Sequence, residues 1–311
     1  MDSSCCIEDV EECPVARLVF RPVTRADIPL LQYYFNRYPS RSDDFTVGGV
    51  LMWTELYDYR IAECLGSLFI TGIQAGSDAR VFYQPRGPVS AREFRRLVAD
   101  YCSRHDSDGI MLHPVEYEPG AADELRLAAL ETVNEWREYL YPVERFATFA
   151  GRKMEKKRNH LNFFVNNHPG FEVETISDDM ADELISFTLA FNAEHSDNPI
   201  AVYECRQVME VLRNYSSYPF HGIAIRVDGR IVGYTFGEKA GDAFVIHAEK
   251  GDVALRGIYQ VLASRLAQSV MERYPDVTLL NREDDMGSEA LRRSKMSYHP
   301  SLFIDKRIER I

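Results

Sequence analysis

Short apolar runs alternate with amphipathic stretches along the chain, and this alternation predicts an α/β fold with helices on both faces of a sheet. Thr24 with Asp27 and Ser90 with Glu93 have the spacing of capping boxes, and each pair predicts the start of a helix. The middle runs suit an antiparallel meander. The first half predicts strands over residues 18–22, 59–64, 67–74, 79–83 and 109–115, and helices after Thr24, over 90–104 and over 121–131.

The second half repeats this order. Asp228-Gly229 separates two alternating apolar runs, which is a strong hairpin signal because both turn residues must tolerate positive φ. Predicted strands cover residues 171–176, 221–227, 230–238, 243–249, 277–281 and 302–308, and predicted helices cover 179–194, 200–213, 257–273 and 288–295. The repeated order predicts a duplication, with a disordered tail over 1–14, a first lobe over 15–150, a basic helix over 151–169 and a second lobe over 170–311.

Composition narrows the setting of the protein. The chain has 311 residues and a net charge of −12, so any contact with a phosphate backbone or an anionic lipid needs a local basic patch. No apolar run is long enough to cross a bilayer, and the first residues are acidic, which predicts a cytoplasmic protein. The six cysteines have no ligand spacing with histidine, so we expect reduced thiols and no metal site.

A turn that contains glycines follows the predicted strand over 243–249 and leads into the helix that starts at Gly257. The start of a helix offers unpaired N–H groups to an anion, Gly257 permits a close approach, and Arg256 adds a planar donor. The alternative is that Gly251 and Gly257 only shape the connection between strand and helix.

The segments that follow resemble a known superfamily. Asn281–Gly287 ends the next strand and Ser288–Tyr298 forms a helix and a turn, as in the GNAT acyltransferases. A second resemblance covers nearly the whole chain, to the bacterial family related to the C-terminal domain of phosphatidylglycerol lysyltransferase. The segments that carry it are Gly237-Glu238-Lys239, His247-Ala248-Glu249-Lys250, Arg256-Gly257-Ile258-Tyr259-Gln260, Asn281–Gly287, Lys295-Met296-Ser297-Tyr298 and Gly151–His160.

This resemblance implies two tandem GNAT-like domains, akin to the Fem peptidyltransferases, that move an aminoacyl group from charged tRNA. Two departures argue against a standard coenzyme A site. Ala254 and Tyr259 replace the charged and the small residue of the usual turn, and Arg293 aligns with the usual tyrosine acid. The equivalent turn of the first half contains Pro85 and Pro88, which lack N–H donors, so we expect no donor there.

His247 and Glu249 are the candidate catalytic residues. They lie two positions apart on one predicted strand, so we expect both side chains on the same face. Acyl transfer needs a base and donors for an oxyanion, and Glu249 is the first choice for the base, with His247 as base or orienting group. The alternative is that one of them pairs with Lys250 or caps the turn.

The end of the strand over 277–281 places one cation and three carboxylates where open α/β sheets bind ligands. These carboxylates could hold the ammonium of an aminoacyl group, and the alternative is a solvated loop that caps the next helix. The full set of predicted donor-binding residues is Lys250, Arg256, Gly257, Ile258, Tyr259, Asn281, Arg282, Glu283, Asp285, Arg293 and Tyr298.

A run of five cations occupies the junction between the predicted lobes. In an acidic chain this run predicts a grip on tRNA phosphates or on an anionic headgroup at the inner membrane face, and the alternative is a solvated helix face. Its members are Arg152, Lys153, Lys156, Lys157 and Arg158. The leading hypothesis is an acyltransferase whose donor is aminoacyl-tRNA, with acyl-CoA as the alternative donor and a binding protein without catalysis as the rival.

Overall fold

Twelve strands form one continuous sheet in the computed structural model of the chain, which describes residues 16–73, 79–117, 131–193 and 199–311. The strands are β1 Arg21–Pro22, β2 Arg60–Cys64, β3 Ser67–Ile73, β4 Arg80–Tyr83, β5 Gly109–Tyr117, β6 Glu131–Pro142, β7 Glu172–Thr175, β8 Phe220–Val227, β9 Arg230–Ala240, β10 Ala243–Gly251, β11 Leu279–Asn281 and β12 Leu302–Arg310. Their order across the sheet is 1-2-3-4-5-12-6-11-10-9-8-7. The mixed α/β class predicted from the pattern is confirmed.

Helices flank this sheet along its length. They are α1 Ile28–Arg37, α2 Val47–Leu51, α3 Thr54–Tyr57, α4 Ala91–His105, α5 Val143–Thr148, α6 Glu155–Asn167, α7 Ala181–Ala193, α8 Pro199–Leu212, α9 Ile258–Arg273 and α10 Glu289–Met296. Ser90 accepts a hydrogen bond from the Glu93 N–H, and the Thr24–Asp27 box is complete, as the sequence predicts. Asp228 and Gly229 have φ values of 48° and 76°, so the β8–β9 turn has the predicted backbone.

Each half of the chain contains one pair of parallel strands in an otherwise antiparallel sheet. β4 runs parallel to β5 with α4 between them in sequence, and β10 runs parallel to β11 with α9 between them. Parallel neighbours diverge where their backbone hydrogen bonds stop, so a gap opens between their carboxyl ends. The second of these pairs carries the candidate chemistry, and the lobe boundaries remain a prediction.

The strands near the middle of the sheet come from distant parts of the sequence. β12 lies between β5 and β6, and β6 in turn pairs with β11. β6 was not predicted, and the helix predicted over 121–131 ends at Glu131, where β6 begins. The other residues of that prediction, and the tail predicted over 1–14, lie outside the described residues.

The largest core lies between the sheet and α9, and α5 and α6 close it. Phe146, Phe149 and Phe164 are fully buried there, beside Leu262 and Leu266 of α9. Burial of one such ring stabilises the fold by about 1.5–3 kcal/mol. The single buried Phe164 therefore anchors α6 while most of the polar face of that helix stays at the surface. Among the described helices, none has the length and apolar content that a membrane span requires.

Candidate functional site

Two charged side chains face each other at the carboxyl ends of the parallel strands β10 and β11. An Arg282 Nη2–H donates to Glu249 Oε1 over 2.7 Å, and the Glu249 side chain is 10% exposed. The other two terminal atoms, Glu249 Oε2 and Arg282 Nη1, are buried and lack a hydrogen-bond partner among the described residues. A buried polar atom without a partner costs about 1–3 kcal/mol. A ligand that hydrogen-bonds to these two atoms would remove that cost, so the ion pair offers it one acceptor and one donor.

Tyr298 lies between two cations beside this ion pair. Lys157 Nζ lies 3.7 Å from the centroid of the ring and Arg282 Cζ lies 5.1 Å from it. The ring also stacks on Phe146, and the Tyr298 hydroxyl accepts a hydrogen bond of 2.9 Å from Gln260. Burial raises the pKa of Tyr298, so the phenol stays protonated at neutral pH.

Lys157 belongs to the predicted basic run but faces this cluster from α6. Its ammonium donates to Ser297 Oγ over 2.7 Å. Burial, with Arg282 and Lys156 nearby, lowers the pKa of Lys157 to about 8. A lysine with this pKa exchanges a proton near neutral pH, which an ordinary surface lysine does not do.

A β-bulge in β10 separates the two candidate catalytic residues. The pairing with β9 shifts between Ile246 and Ala248, so His247 is the extra residue. Ala248 packs in the core on the side of Phe236, whereas Ile246 packs in the core of α9. The expectation that His247 and Glu249 share a face is therefore wrong, because the bulge reverses the alternation between them.

His247 is instead buried between two carboxylates. Its Nε2 lies 2.9 Å from Glu238 and its Nδ1 lies 2.8 Å from Glu283. Burial alone would lower the pKa of His247, but the hydrogen bonds to both carboxylates outweigh it and raise this pKa to about 10. The imidazole is therefore a cation at neutral pH that holds two acids, which is the orienting role rather than that of a free base.

The same network reaches the first half of the chain. Glu238 accepts hydrogen bonds from the backbone N–H groups of Val47 and Gly48 at the start of α2. A Cβ atom on Gly48 would lie 2.5 Å from the His247 ring, so glycine is required for this approach. The start of α2 thus docks on the second parallel pair through one carboxylate.

A second buried cluster adjoins the first. The Lys306 ammonium of β12 contacts Asp43, Asp44 and Glu138, and it lies 2.6 Å from Ser42 Oγ. The three carboxylates are close enough together to hold a metal ion, but Lys306 already supplies the positive charge at that point. Burial raises the pKa of Glu138 well above its usual range, despite the attraction of Lys306.

Acids outnumber bases across the two clusters. Asn281 joins them, because its side-chain amide donates to Glu138 and its Oδ1 accepts from the Glu283 N–H. Lys295 donates to the backbone carbonyls of Arg282, Glu283 and Asp284. The carboxyl groups are Asp43, Asp44, Glu138, Glu238, Glu283 and Asp284, and the cations are His247, Lys295 and Lys306. Burial together with this excess raises the pKa values of Glu138 and Asp284, so a cation that enters the region competes with protons for the carboxyl groups.

Asp284 shows this imbalance most directly. Its Oδ1 accepts a hydrogen bond from the Met286 N–H, and burial together with the Asp43 carboxylate raises the pKa of Asp284 to about 7. Tyr57 lies within electrostatic range of both acids. Tyr57 also belongs to a chain of ring contacts that runs from Tyr203 through Trp53 and on to Tyr59. Carboxylates beside aromatic faces suit an ammonium group.

Several of the predicted donor-binding residues do not join this site. Lys250 points to the opposite face from Glu249 and donates to Glu204 over 3.0 Å. Arg293 is exposed and pairs with Glu289 one turn away on α10. Asp285 is buried and holds the loop together through Arg292 and a 2.5 Å hydrogen bond from Tyr139.

The glycine turn before α9 makes its close approach to another helix. Gly257 has φ +98°, and a Cβ atom there would lie 2.2 Å from the carbonyl oxygen of His160 in α6. The predicted approach of Gly257 to a ligand is therefore made to α6 instead. Arg256 is exposed over the Phe163 ring, whereas Ile258 is buried in the core and burial raises the pKa of Tyr259.

The basic run divides into two groups. Arg158 caps carbonyls of Phe149 and Gly151, and Lys157 joins the Tyr298 cluster. Arg152, Lys153 and Lys156 are exposed, and no hydrogen bond or ion pair joins them to the rest of the described chain. The predicted surface for an anion is thus smaller than the sequence suggests.

Sequence reasoning did not find the acids of the first half or Lys306. Asp43 and Asp44 follow a short polar loop, and Lys306 lies 262 positions from Asp44. The available signal was a charged residue at an inward position of a strand, as at Glu138 and Lys306, because such a residue needs a buried partner of opposite charge.

Comparisons with known proteins identify the fold. A protein of unknown function from Bacteroides thetaiotaomicron has 24% sequence identity and a TM-score of 0.81, and the match covers 94% of this chain and 99% of that one. The C-terminal domain of a putative lysylphosphatidylglycerol synthetase from Agrobacterium fabrum has 15% identity, a TM-score of 0.61 and 92% coverage of both chains. FemX has 9% identity and a TM-score of 0.57 over 92% of this chain and 96% of FemX. These likenesses establish a fold shared with Fem transferases.

The curated relative is an uncharacterized protein of Mycoplasmoides gallisepticum, named MYCGA3080, with 26% identity over 174 residues. The chain spans about half the length of this relative, since the match covers 56% of each protein. The model of the family described as "Phosphatidylglycerol lysyltransferase, C-terminal" matches residues 35–306, which include both parallel strand pairs and the buried acidic clusters. The chain therefore belongs to the family of phosphatidylglycerol lysyltransferase C-terminal domains.

Proposed function

We propose that the protein transfers an aminoacyl group from charged tRNA to a hydroxyl or amine acceptor, foremost a lipid headgroup. The observation that carries the proposal is the Glu249–Arg282 pair, which has an unpaired acceptor and an unpaired donor at the carboxyl ends of the parallel strands, in a chain of this family. Acyl transfer needs both groups, because one atom must accept a proton while another stabilises negative charge.

The roles of the two side chains follow from their free atoms. Glu249 Oε2 accepts the proton of the acceptor hydroxyl, whose oxygen then forms a bond to the carbonyl carbon of the aminoacyl ester. Arg282 Nη1–H donates to the carbonyl oxygen as it gains negative charge. The ester bond to the terminal ribose breaks, and the ribose oxygen takes the proton back from Glu249. The Tyr298 ring lies against the Arg282 guanidinium and holds it in place, and Lys157 contacts the same ring.

An aminoacyl donor fits the charges better than acyl-CoA does. The excess of acids around Asp284 favours an ammonium group, which every aminoacyl ester carries and an acetyl thioester lacks. The carbonyl oxygen of His160 beside Gly257 presents a negative dipole where a pyrophosphate would need donors. Both arguments disfavour the coenzyme A alternative.

The test is the loss of the aminoacyl ester from charged tRNAs incubated with the protein and with lipid headgroup acceptors. Glu249→Gln should reduce turnover by about 100-fold or more, since it removes the base and keeps the shape. Glu289→Gln is the matched control, because Glu289 is 81% exposed and only pairs with Arg293.

Two results would refute the proposal. Turnover of acetyl-CoA without loss of any aminoacyl ester would favour the CoA-dependent reaction. Binding of charged tRNA without turnover, and with the same affinity in Glu249→Gln, would favour the rival without catalysis.

A further inference from the structure

A basic cleft opens beside the start of α6, and neither the fold nor the transfer site accounts for it. The cleft has a volume of about 360 Å³ and lies between α5, the turn Arg152–Met154 and the segment after α10. Its lining residues are Arg145, residues 150–154 and residues 299–301. Three cations therefore face one concave space, and none of the described residues that line it is a carboxylate.

The cations of this cleft have capacity for a ligand. Arg145 donates one hydrogen bond of 2.7 Å to the His299 carbonyl oxygen, and this contact fixes the guanidinium at the rim. Arg152 and Lys153 are exposed and have no partner in the described part of the chain. Two acids lie close to these cations in sequence, Glu144 beside Arg145 and Glu155 two positions after Lys153, and both lie outside the lining. In a chain of net charge −12, such a local excess of positive charge favours an anion.

We propose that this cleft binds the phosphate group of an anionic lipid headgroup and holds the protein at the surface that carries its acceptor. The proposal rests on the proposed function for the class of acceptor and adds a second site, separate from Glu249 and Arg282. A planar guanidinium matches a phosphate in a bidentate manner, and Lys153 adds a point charge.

A lipid phosphate fits the cleft better than an RNA backbone does. Binding of nucleic acid depends on several phosphates neutralised together along a track of cations. Lys157 and Arg158 are held by internal contacts and the exposed Lys156 lies outside the lining, so the free cations of the cleft do not continue into a long track. Met296 is 46% exposed and ends α10, shortly before the segment that lines the cleft. Such a side chain suits the interface of a bilayer.

The experiment measures co-sedimentation of the full chain with vesicles of phosphatidylglycerol and phosphatidylcholine, compared with vesicles of phosphatidylcholine alone. We expect binding only to the first, and a loss of about thirtyfold in Arg152→Ala/Lys153→Ala, at about fivefold for each cation near an anionic surface. Lys156→Ala is the matched control, because Lys156 is exposed in the first turn of α6, three residues after Lys153, but does not line the cleft. Lys153→Arg should keep the binding, and circular dichroism should show that all variants are folded.

Several outcomes would overturn the proposal. An equal loss per charge in Lys156→Ala would mean that only diffuse charge attracts the vesicles. Binding of soluble glycerophosphoglycerol or inorganic phosphate without binding of vesicles would exclude the lipid as the source. A loss of tRNA binding in the double variant, with vesicle binding intact, would assign the cleft to RNA. Vesicle binding that depends on Arg152 and Lys153 in a protein without aminoacyl transfer would sustain this inference and refute the proposed function alone.

Discussion

Gly257→Ala is the sharpest test of how α9 and the basic helix α6 fit together. The new Cβ would lie 2.2 Å from the carbonyl oxygen of His160 and 3.1 Å from the Phe164 side chain. A backbone oxygen cannot rotate away, so α6 must shift. The positive φ of +98° adds about 1–2 kcal/mol for a residue with a Cβ, and overpacking adds about 1–3 kcal/mol. The variant should therefore lose about 2–5 kcal/mol in the free energy of unfolding.

The matched control is Gly151→Ala at the start of the same basic segment. Gly151 has φ +90°, but nothing lies within 4 Å of its Cβ position. This variant carries only the cost of a backbone conformation that is more restricted to glycine, with ψ 163° against 0° at Gly257, so a larger loss in Gly257→Ala must come from the contact with α6. Unfolding by urea, followed by circular dichroism, gives both values. Equal losses in the two variants would refute the packing argument and return Gly257 to the role of a residue needed for a ligand.

Three further predictions concern the buried charges. His247→Gln should cost about 3–5 kcal/mol at pH 6, because it leaves Glu238 and Glu283 buried without their cation. Since the pKa of His247 is raised from 6.5 to about 10, its stabilisation is complete below pH 6.5 and disappears as the pH rises through 10, and thermal melts of the variant should lack that decline. Lys306→Met should destabilise the protein by about 3–5 kcal/mol at pH 8, because it leaves Asp43, Asp44 and Glu138 buried without their cation, and an unchanged free energy of unfolding in urea titrations would contradict this. In the unmodified protein the raised pKa of Asp284 means that the folded state holds this proton to a higher pH than the unfolded chain does, so stability falls by at most about 4 kcal/mol between pH 4 and pH 7. Asp284→Asn should remove this fall. Thermal melts with the same pH dependence in both proteins would contradict the prediction.

Local patterns in the sequence were enough to predict most helices and strands of the described chain. Asp228-Gly229 and Ser90 succeeded because their signals act over a few residues, through positive φ and through a side chain that caps a helix. The bulge at His247 was missed because one extra residue leaves no mark on composition, yet it reverses the face of the strand. β6 was missed because the residues before it were interpreted as a helix.

The candidate site shows the same division. Glu249 and Arg282 could be proposed because each ends a strand that precedes a turn, and the structure places them 2.7 Å apart. The acids around Lys306 could not be placed, because Lys306 lies 168 positions from Glu138 and 262 positions from Asp44, and these residues meet only through the order of the strands. Pairing of charges at that separation depends on the order of the strands in the sheet, and the local hydrophobic pattern does not predict that order.

The position of β12 between β5 and β6 also has a consequence for folding during synthesis. Phe303 pairs with Tyr117 and Arg310 pairs with Ile110, so the partner of β5 is translated close to two hundred codons after β5 itself. At about 5–20 residues per second, a ribosome needs about 10–40 s to cover that distance. During this interval β5 has one open edge, and such an edge recruits other chains. Slower translation through the second half therefore lengthens the time for which the edge of β5 is exposed to other chains.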